Sequence, residues 1–325
     1  MIFVGVDDGY RETKLAWKEN GEIRTFRIPS LVRAGVVGVS DLEGTLSGYE
    51  TEGEVYTVGD FRGGEETRFS GYPLSPLVRV LVHHALVSAG FSGKEVTIAT
   101  GLPPRDAFLP DGRKNADLIS RKIARFTVPL ARRGGGDLAL VREHRVFTQG
   151  IGALIDFLVE GSGLRELSGP VGVVDVGGRT TDVAVVVPGP GGLAIDHARS
   201  GSENAGVLDI LDDLSRRIRT RERIDDLSLS ALERALATGT VRVSGEDWNV
   251  SDLAAEARSR TRERVRRIVS VRLGDGSDLE TILFVGGGAL ALPDLLEGYP
   301  QAAAVPDPQF ANARGFLKSL HVAES

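Results

Sequence analysis

Two stretches of the sequence decide how the chain is organised: residues 6–17 (VDDGYRETKLAW) and residues 174–185 (VDVGGRTTDVAV). They lie 168 residues apart, share six of twelve positions and have the frame Asp-x-Gly-x-Arg-x-Thr in common. Each stretch joins two apolar runs, which is the pattern of two strands connected by a tight turn. Since the separation is about half of the chain, we interpret the repeat as two related α/β halves, with chance convergence of two hairpins as the alternative.

The glycines and aspartates of these turns indicate a phosphate site. Gly9, Gly177 and Gly178 give the backbone N–H groups the freedom to converge on an anion. The neighbouring Asp7 and Asp175 would repel a phosphate unless a cation lies between them, which predicts Mg²⁺. One Asp-x-Gly turn by itself is more often an ordinary β-turn. Two such turns that face each other across a cleft would hold a di- or triphosphate from both sides.

Three other segments would complete such a site. Gly286, Gly287 and Gly288 follow a predicted buried strand, and a glycine-rich turn of this kind allows the close approach of a nucleoside. Lys14 is within reach of a β- or γ-phosphate, or it is a solvated lysine on a strand. Gln149 ends a β-rich run before a helix, where α/β sheets bind their ligands, so its amide would orient a water molecule or cap the helix.

The rest of the chain alternates between predicted strands and helices. Strands are predicted at residues 2–6, 14–17, 23–28, 54–58, 96–100, 126–129, 138–147, 171–176, 183–187 and 281–285. Helices are predicted at residues 76–89, 114–125, 151–159, 207–219, 230–237, 251–273 and 309–320.

The boundary between the two halves is predicted at residues 161–170, which include three Gly, two Ser and one Pro. We therefore expect a first lobe of residues 1–165 and a second lobe of residues 166–308. A C-terminal helix in residues 309–325 is expected to pack back on the first lobe. Small subdomains are expected at about residues 33–75 and 207–275.

The composition excludes several classes of protein. The 325 residues include no cysteine, which rules out disulfides, zinc–thiolate sites, iron–sulfur clusters and thiol nucleophiles. The net charge is 39 − 45 = −6, which argues against a protein that coats nucleic acid unaided. The first ten residues lack a basic segment and no run of 18 apolar residues occurs. We therefore expect no secretory signal, no membrane span and a cytoplasmic location.

Arginines are concentrated in two segments, residues 216–223 and 258–272. Acidic residues lie close to both segments in the sequence, and arginines two positions apart do not share one face of a helix. We interpret both segments as a solvated or filament-contact surface rather than a DNA-binding face.

In their order along the chain, the motifs VGVDDGYRETK, VFTQG, VVDVGGRTTDV and FVGGGALAL resemble the phosphate 1, connect 1, phosphate 2 and adenosine motifs of the actin and sugar-kinase ATPase superfamily. Within it, the chain resembles the bacterial and archaeal actin-like proteins of the ParM/StbA group. Residues 82–86 (VHHAL), 100–103 (TGLP) and 308–316 (PQFANARGF) are also similar to that group. The resemblance covers nearly the whole chain and implies an α/β, actin-like ATPase fold with two related lobes and a nucleotide cleft between them.

The resemblance also implies roles for individual residues. Asp7 and Asp175 would hold Mg²⁺ through water and Gln149 would orient the attacking water, so Gln149 and Asp175 are the candidate catalytic residues. Tyr10 departs from the small hydroxyl residue often found in the first turn, which leaves the backbone to contact the γ-phosphate there. The nucleotide-binding residues implied are Asp8, Gly9, Tyr10, Arg11, Lys14, Gly177, Gly178, Arg179, Thr180, Gly206, Gly286, Gly287 and Gly288.

The function that the resemblance implies is a filament-forming ATPase that uses ATP with Mg²⁺ and drives the segregation of plasmid DNA. The partners implied are further copies of the chain and a DNA-binding adaptor protein, without direct contact to nucleic acid or membrane. GTP is an alternative nucleotide, because nothing in the turn at residues 286–288 rejects the guanine amino group. A chromosomal cytoskeletal role is one alternative function. A small-molecule kinase of the same fold is another, although the sequence shows no clear motif for the acidic base that it needs.

Overall fold

The computed structural model describes residues 1–35, 47–59, 67, 69, 71–160, 163–189 and 192–322. Parts of the predicted subdomain at residues 33–75, of the predicted boundary at residues 161–170 and of the C-terminal segment lie outside the described residues. Within the described residues, no helix combines the length and the apolar character that crossing a membrane requires.

The chain alternates between strands and helices, as its sequence predicts. The strands are β1 (Ile2–Asp8), β2 (Glu12–Glu19), β3 (Glu22–Pro29), β4 (Val32–Ala34), β5 (Ser47–Thr51), β6 (Glu54–Val58), β7 (Glu95–Leu102), β8 (Ala131–Arg132), β9 (Leu140–Thr148), β10 (Val159–Glu160), β11 (Gly163–Leu164), β12 (Val171–Val176), β13 (Thr181–Gly189), β14 (Gly192–Ile195), β15 (Gly201–Glu203), β16 (Thr240–Val243), β17 (Glu246–Asn249), β18 (Thr281–Val285) and β19 (Ala302–Ala304). The helices are α1 (Pro76–Ser88), α2 (Pro104–Ala107), α3 (Ala116–Arg125), α4 (Ile151–Leu158), α5 (Val207–Glu222), α6 (Leu229–Thr238), α7 (Ser251–Leu273), α8 (Gly288–Ala291) and α9 (Ala311–Val322).

Two sheets of the same topology form the framework of the molecule. The first has the strand order β3-β2-β1-β7-β9, and the main path of the second has the order β14-β13-β12-β18-β19. In each sheet the first three strands form an antiparallel meander, and the two others are added in parallel. The repeated sequence stretches are the first hairpins of the two sheets, β1–β2 and β12–β13. The structure therefore supports two related α/β halves.

Helices α4 and α9 pack against each other and join the two sheets. A Cβ on Gly315 would lie 1.7 Å from the backbone oxygen of Gly152, so the two helices approach each other at glycine positions. Asp156 on α4 is buried and pairs with Arg314 at 2.6 Å and with Lys318 at 2.8 Å on α9. Helix α9 also packs on β1, β2 and β7, while α4 shares an apolar cluster with the second sheet.

Each sheet has an additional layer, of which the sequence predicts the three helices in the second half but only one strand in the first. A four-stranded sheet of order β4-β6-β5-β8 lies in the first half, where only the strand at residues 54–58 was predicted. In the second half, α5, α6 and α7 pack on one another and on the apolar face of β13 and β18. Strands as short as β4 and β8 have too few residues to show a period of two.

The strand predicted at residues 126–129 is wrong. This segment is a turn after α3, and the next strand is β8. The apolar Phe126 instead packs against side chains of other elements. Its ring contacts His144 at a centroid distance of 4.5 Å and His83 at 6.3 Å. The carbonyl of Pro129 accepts a hydrogen bond from the Thr51 hydroxyl at 2.7 Å rather than from a sheet neighbour.

Candidate functional site

The turns of the two repeated hairpins meet at one narrow cleft between the sheets. The cavity in it measures about 40 Å³, which is room for a few water molecules only. The residues that line it are Asp7, Gly9, Tyr10, Arg11, Glu12, Lys14, Gln149, Asp175, Gly177, Gly178, Thr180, Asp182, Val207, Gly286 and Gly287. Segments from both halves of the chain, far apart in sequence, therefore converge as the motifs predict.

In the first turn, Asp7 is held from two sides. The β1–β2 register places Lys14 directly opposite Asp7, and the Lys14 Nζ lies 3.1 Å from the Asp7 Oδ2. Burial disfavours the Lys14 ammonium, but Asp7 and Glu12 outweigh this effect, so the pKa of Lys14 is raised. The Gln149 Nε2, at the end of β9, donates to the Asp7 Oδ1 at 3.3 Å. Gln149 therefore lies beside the carboxylate, where a water-orienting amide would have to be.

Asp8 does not reach the cleft with its side chain. Successive residues of a strand point to opposite faces, so Asp8 points away from the face that carries Asp7. Its Oδ2 lies 2.7 Å from the Nζ of Lys122, and both side chains are buried. Burial raises the pKa of Asp8, although Lys122 opposes this effect. The side chain of Asp8, which was predicted to contact the nucleotide, therefore lies outside the cleft.

The second turn places two carboxyl groups side by side. Asp182 lies directly opposite Asp175 in the β12–β13 register. Burial, together with Asp182 and Asp7, raises the pKa of Asp175 to about 7, although its Oδ2 accepts a hydrogen bond from the Asn312 Nδ2 at 2.6 Å. Burial also raises the pKa of Asp182 to about 6, although Thr180 donates to it at 2.8 Å.

Sequence reasoning missed two of these residues, Asp182 and Asn312. Asp182 could have been found from its position in the hairpin, because pairing the two predicted strands around the turn places it opposite Asp175. Asn312 lies on α9, 137 residues from Asp175, and no local pattern connects them.

Backbone contacts explain the glycines around the second turn. Two N–H groups at the start of α5, those of Val207 and Leu208, donate to the carbonyls of Gly177 and Gly178 at 3.0 and 2.9 Å. This brings the positive end of the helix dipole to the turn, an arrangement that suits an anion. Gly286 has a φ of 82°, and a Cβ there would lie 2.3 Å from the Asp175 Oδ1.

Gly206, Gly288 and Arg179 are not among the residues that line the cavity. A Cβ on Gly206 would lie 2.4 Å from the Gly178 oxygen, and one on Gly288 would lie 2.2 Å from the Val176 side chain, so both glycines permit close packing behind the cleft. Arg179 instead stacks on the ring of Tyr10, with 5.2 Å between its guanidinium carbon and the ring centroid.

The donor set suits a hard cation that keeps its water. Among the described residues, no group of three or more His, Cys, Asp or Glu side chains is arranged to hold a metal ion directly. The carboxyl groups of Asp7, Asp175 and Asp182 nevertheless line the same cavity, and the buried Asp182 Oδ1 has no hydrogen-bond partner there. Oxygen donors around phosphate and water are the surroundings that Mg²⁺ prefers, so these residues fit Mg²⁺.

Comparison with protein families gives two matches that together cover most of the chain. Residues 2–159 match the N-terminal model of the plasmid segregation protein ParM, StbA_N. Residues 173–298 match the C-terminal model of the archaeal actin homologue MreB-like. The chain is an actin homologue, similar to the ParM/StbA type in its first half and to the archaeal MreB-like type in its second. This agrees with the actin-like ATPase superfamily that the motif order implies.

Solved structures confirm the actin-like fold. The archaeal actin homologue Ta0583 in complex with ADP is 21% identical to this ParM-like chain, covers 99% of it over 100% of its own length and has a TM-score of 0.77. A subunit of a 15-stranded ParM filament from Clostridium botulinum is 18% identical, with 98% of each chain covered and a TM-score of 0.74. Bacillus thuringiensis ParM with ATP is 16% identical, with 100% and 99% covered and a TM-score of 0.65. Comparison with curated protein sequences finds no match.

Proposed function

We propose that this actin-like protein binds ATP with Mg²⁺ in the cleft, hydrolyses it and couples hydrolysis to the assembly and disassembly of filaments. The observation that carries the proposal is the convergence of Asp7, Asp175 and Gln149, from three separate segments, on one cavity lined by both repeated turns. GTP is a second substrate to be tested, because the turn at residues 286–288 contains no side chain that would reject it.

Both turns would contact the phosphates of the nucleotide. Backbone N–H groups of the turns at Gly9 and at Gly177–Gly178 would cradle the phosphate oxygens, and Lys14 would contribute a positive charge. Mg²⁺, when bound, neutralises charge on the phosphates. Asp7 and Asp175 would hold its water ligands.

Gln149 would orient the attacking water rather than deprotonate it, because an amide is no base at neutral pH. Its hydrogen bond to Asp7 fixes the amide beside the phosphate turns. We propose Asp182 as an additional acceptor for this water or for a water ligand of Mg²⁺, because its buried Oδ1 has no partner among the described residues.

In the cell, the proposed role is the segregation of plasmid DNA in the cytoplasm through a DNA-binding adaptor protein. The match of residues 2–159 to the ParM family model supports this role. The match of residues 173–298 to archaeal actin homologues supports a chromosomal cytoskeletal role as the second candidate.

Direct contact with DNA is not proposed, because many arginines of the two basic segments have acidic partners. Examples of these ion pairs are Arg217 with Asp213 and Glu256, Arg221 with Asp252, and Arg262 with Asp294.

We propose lobe boundaries that follow the two sheets. Residues 1–165 with 309–325 would form one lobe and residues 166–308 the other, with small subdomains at about 33–75 and 207–275. The separate sheet in each half, of five strands in the first and six in the second, and the packing of α9 on β1, β2 and β7 support this division.

A combined assay of assembly and hydrolysis tests the proposed function. Light scattering, sedimentation and phosphate release are followed with ATP and Mg²⁺, with GTP and Mg²⁺, and with ATP and EDTA. We expect filaments and phosphate release with Mg²⁺ and neither with EDTA. A small-molecule kinase would stay in the supernatant, and scattering that rises equally without nucleotide would contradict nucleotide-controlled assembly. Co-sedimentation with a DNA-binding protein encoded beside the gene would separate the plasmid role from the cytoskeletal one.

A further inference from the structure

Two backbone carbonyls of the first turn accept hydrogen bonds from side-chain hydroxyl groups. The hydroxyl of Ser30, which directly follows β3, donates to the Gly9 carbonyl at 2.8 Å. The Tyr72 hydroxyl donates to the same carbonyl at 3.3 Å. The Thr67 hydroxyl donates to the carbonyl of Tyr10. All three hydroxyl-bearing residues are buried, and all three are distant from the turn in sequence.

The equivalent carbonyls of the second turn accept hydrogen bonds from the backbone instead. In the repeat, Gly177 and Gly178 correspond to Gly9 and Tyr10. The carbonyls of Gly177 and Gly178 accept from the first two N–H groups of α5 at 3.0 and 2.9 Å. The same two positions are therefore held by the start of a helix in the second half and by hydroxyl groups in the first.

The direction of these carbonyls also sets the direction of two N–H groups of the first turn. In a planar trans peptide group, the C=O and the N–H that follows it point in opposite directions. The Gly9 carbonyl therefore sets the direction of the Tyr10 N–H, and the Tyr10 carbonyl sets that of the Arg11 N–H. All three residues line the cavity between the sheets.

We propose that Ser30, Thr67 and Tyr72 are positioning residues for the nucleotide phosphates, because they hold the two carbonyls so that the N–H groups of Tyr10 and Arg11 face the phosphates. None of the three hydroxyl groups would contact the nucleotide itself. This inference rests on the proposed nucleotide-binding function and deepens it, since it assigns the geometry of the first turn to particular side chains.

The surroundings of the hydroxyl groups support their role as donors. A hydroxyl has one proton to donate, and the Ser30 Oγ also lies 3.2 Å from the Thr13 Oγ1. If Ser30 donates to Gly9, Thr13 must donate to Ser30, which gives a short chain of buried hydroxyl groups. Burial raises the pKa of Tyr72, so its hydroxyl keeps its proton. Since a glycine backbone can adopt many conformations, hydrogen bonds from outside the turn restrict Gly9.

The first experiment compares the binding of ATP with Mg²⁺ and of adenosine by equilibrium dialysis. Thr67→Val and Ser30→Ala each remove one hydroxyl, and we expect about fivefold weaker binding of ATP, the effect of roughly one net hydrogen bond. Tyr72→Phe should weaken it by about twofold only, because Ser30 still donates to Gly9. The affinity for adenosine, which has no phosphate, should stay unchanged. Thr67→Ser restores the hydroxyl and should bind ATP as the parent does.

The second experiment requires no nucleotide and observes the peptide group between Tyr10 and Arg11. Tyr10 is the only tyrosine of the sequence that is followed by arginine. Labelling the tyrosine carbonyls with ¹³C and the arginine amides with ¹⁵N therefore gives a single NMR correlation signal for this peptide group. In Thr67→Val we expect the carbonyl signal to move to a lower chemical shift, because the hydrogen bond is lost. In Thr67→Ser the signal should stay close to its parental position.

Two matched controls remove similar hydroxyl groups away from the first turn. Thr57→Val removes a buried hydroxyl that donates to the Gly35 carbonyl at 2.8 Å. Tyr299→Phe removes a phenol hydroxyl that donates to the Gly274 carbonyl at 3.2 Å in the second half. Neither variant should change the affinity for ATP or the labelled signal.

Three outcomes would overturn the proposal. The first is an unchanged affinity for ATP in Thr67→Val and Ser30→Ala. The second is an equal loss of affinity for ATP and adenosine, which would indicate a general effect on the fold. The third is an unmoved carbonyl signal in Thr67→Val. If the parent binds no nucleotide, the proposed function fails, and the labelled signal still decides whether Thr67 holds the turn.

Discussion

The turn between β1 and β2 and the turn between β12 and β13 have the same backbone frame but different electrostatics. In the first hairpin, Lys14 lies directly opposite Asp7, whereas in the second, Asp182 lies opposite Asp175. Opposite charges at such cross-strand positions stabilise a hairpin, and like charges destabilise it. The first pair is neutral as it stands. The second pair is favourable only when one carboxyl group is protonated or a cation lies beside it, and we therefore place the proposed Mg²⁺ mainly at the second turn.

Despite this difference, the two aspartates Asp7 and Asp175 have one feature in common, because each accepts a hydrogen bond from a side-chain amide. Gln149, which precedes α4, donates to Asp7, and Asn312 on α9 donates to Asp175. Gln149 lies two residues before α4, and the N–H of the intervening Gly150 donates to the Oδ1 of Asn312 on α9 at 3.0 Å, which connects the two amides.

The largest effect is expected from Asp175→Ala, which removes a carboxylate that we propose holds Mg²⁺ at the second turn. Mg²⁺-dependent nucleotide binding should be lost, a change of about 100-fold or more in affinity, since a charged hydrogen-bonding group disappears while the phosphates remain. Titration with ATP in Mg²⁺ and in EDTA measures this. The control is Asp247→Ala on an exposed strand. An Asp175→Ala protein that still gains affinity from Mg²⁺ would contradict the assignment.

The next effect is expected from Gln149→Ala, which removes the amide beside the first aspartate. Turnover should fall about 100-fold because the attacking water is no longer oriented, while binding and assembly persist. Filaments should then outlast those of the parent. Phosphate release beside light scattering measures both. Gln301→Ala, whose amide bonds to Gly276 away from the cleft, is the control. Hydrolysis at the parental rate, or loss of ATP binding, would make Gln149 a structural amide.

A smaller effect, on stability, is expected from Asp182→Asn, which makes the second turn more like the first. The pKa of Asp182 is raised from 3.8 to about 6 by burial, so the folded protein binds more protons than the unfolded chain between these values. Its contribution to the free energy of unfolding therefore falls as the pH rises through this range. We expect the free energy of unfolding of the variant to exceed that of the parent by about 1–2 kcal/mol at pH 7.5 in EDTA, and by little at pH 4.

Denaturant titration at the two pH values measures this difference. Asp247→Asn, at an exposed position, should show no pH-dependent gain. A constant difference between Asp182→Asn and the parent at both pH values would mean that packing, rather than charge, decides the effect.

The smallest effect at neutral pH is expected from His144→Gln in the first half. The pKa of this residue is lowered rather than raised, so its contribution to stability depends on pH in the opposite direction. Burial lowers the pKa of His144 to about 3, so the folded protein binds fewer protons than the unfolded chain between about pH 3 and 6.5. Its contribution to stability is complete above pH 6.5 and is lost as the pH falls. In the variant, the free energy of unfolding should therefore decrease less steeply as the pH falls below 6.5, by up to about 1.4 kcal/mol per pH unit, which denaturant titration measures. His197→Gln, at an exposed position, should leave this pH dependence unchanged. An unchanged pH dependence in His144→Gln would contradict the prediction.

Local patterns predict the elements that carry a strong period or a continuous apolar run. β12 and α7 have the predicted bounds, 171–176 and 251–273, because one is a buried run composed mainly of valine and the other is a long helix. The two repeated hairpins also follow from local turn chemistry. The segment at residues 126–129 was misread because Phe126 packs against histidines of other elements, and a short apolar run does not reveal which surface it covers.

The sequence by itself determined the two related halves, the turns that face the cleft and most of the residues that line it, because hairpins and glycine turns depend on neighbours in the chain. Only the tertiary structure decided which side chains complete the site. Asn312 meets Asp175 across 137 residues and Arg11 meets Glu233 across 222. Such contacts depend on how the helices and sheets pack, and packing is a property of the whole fold rather than of any segment.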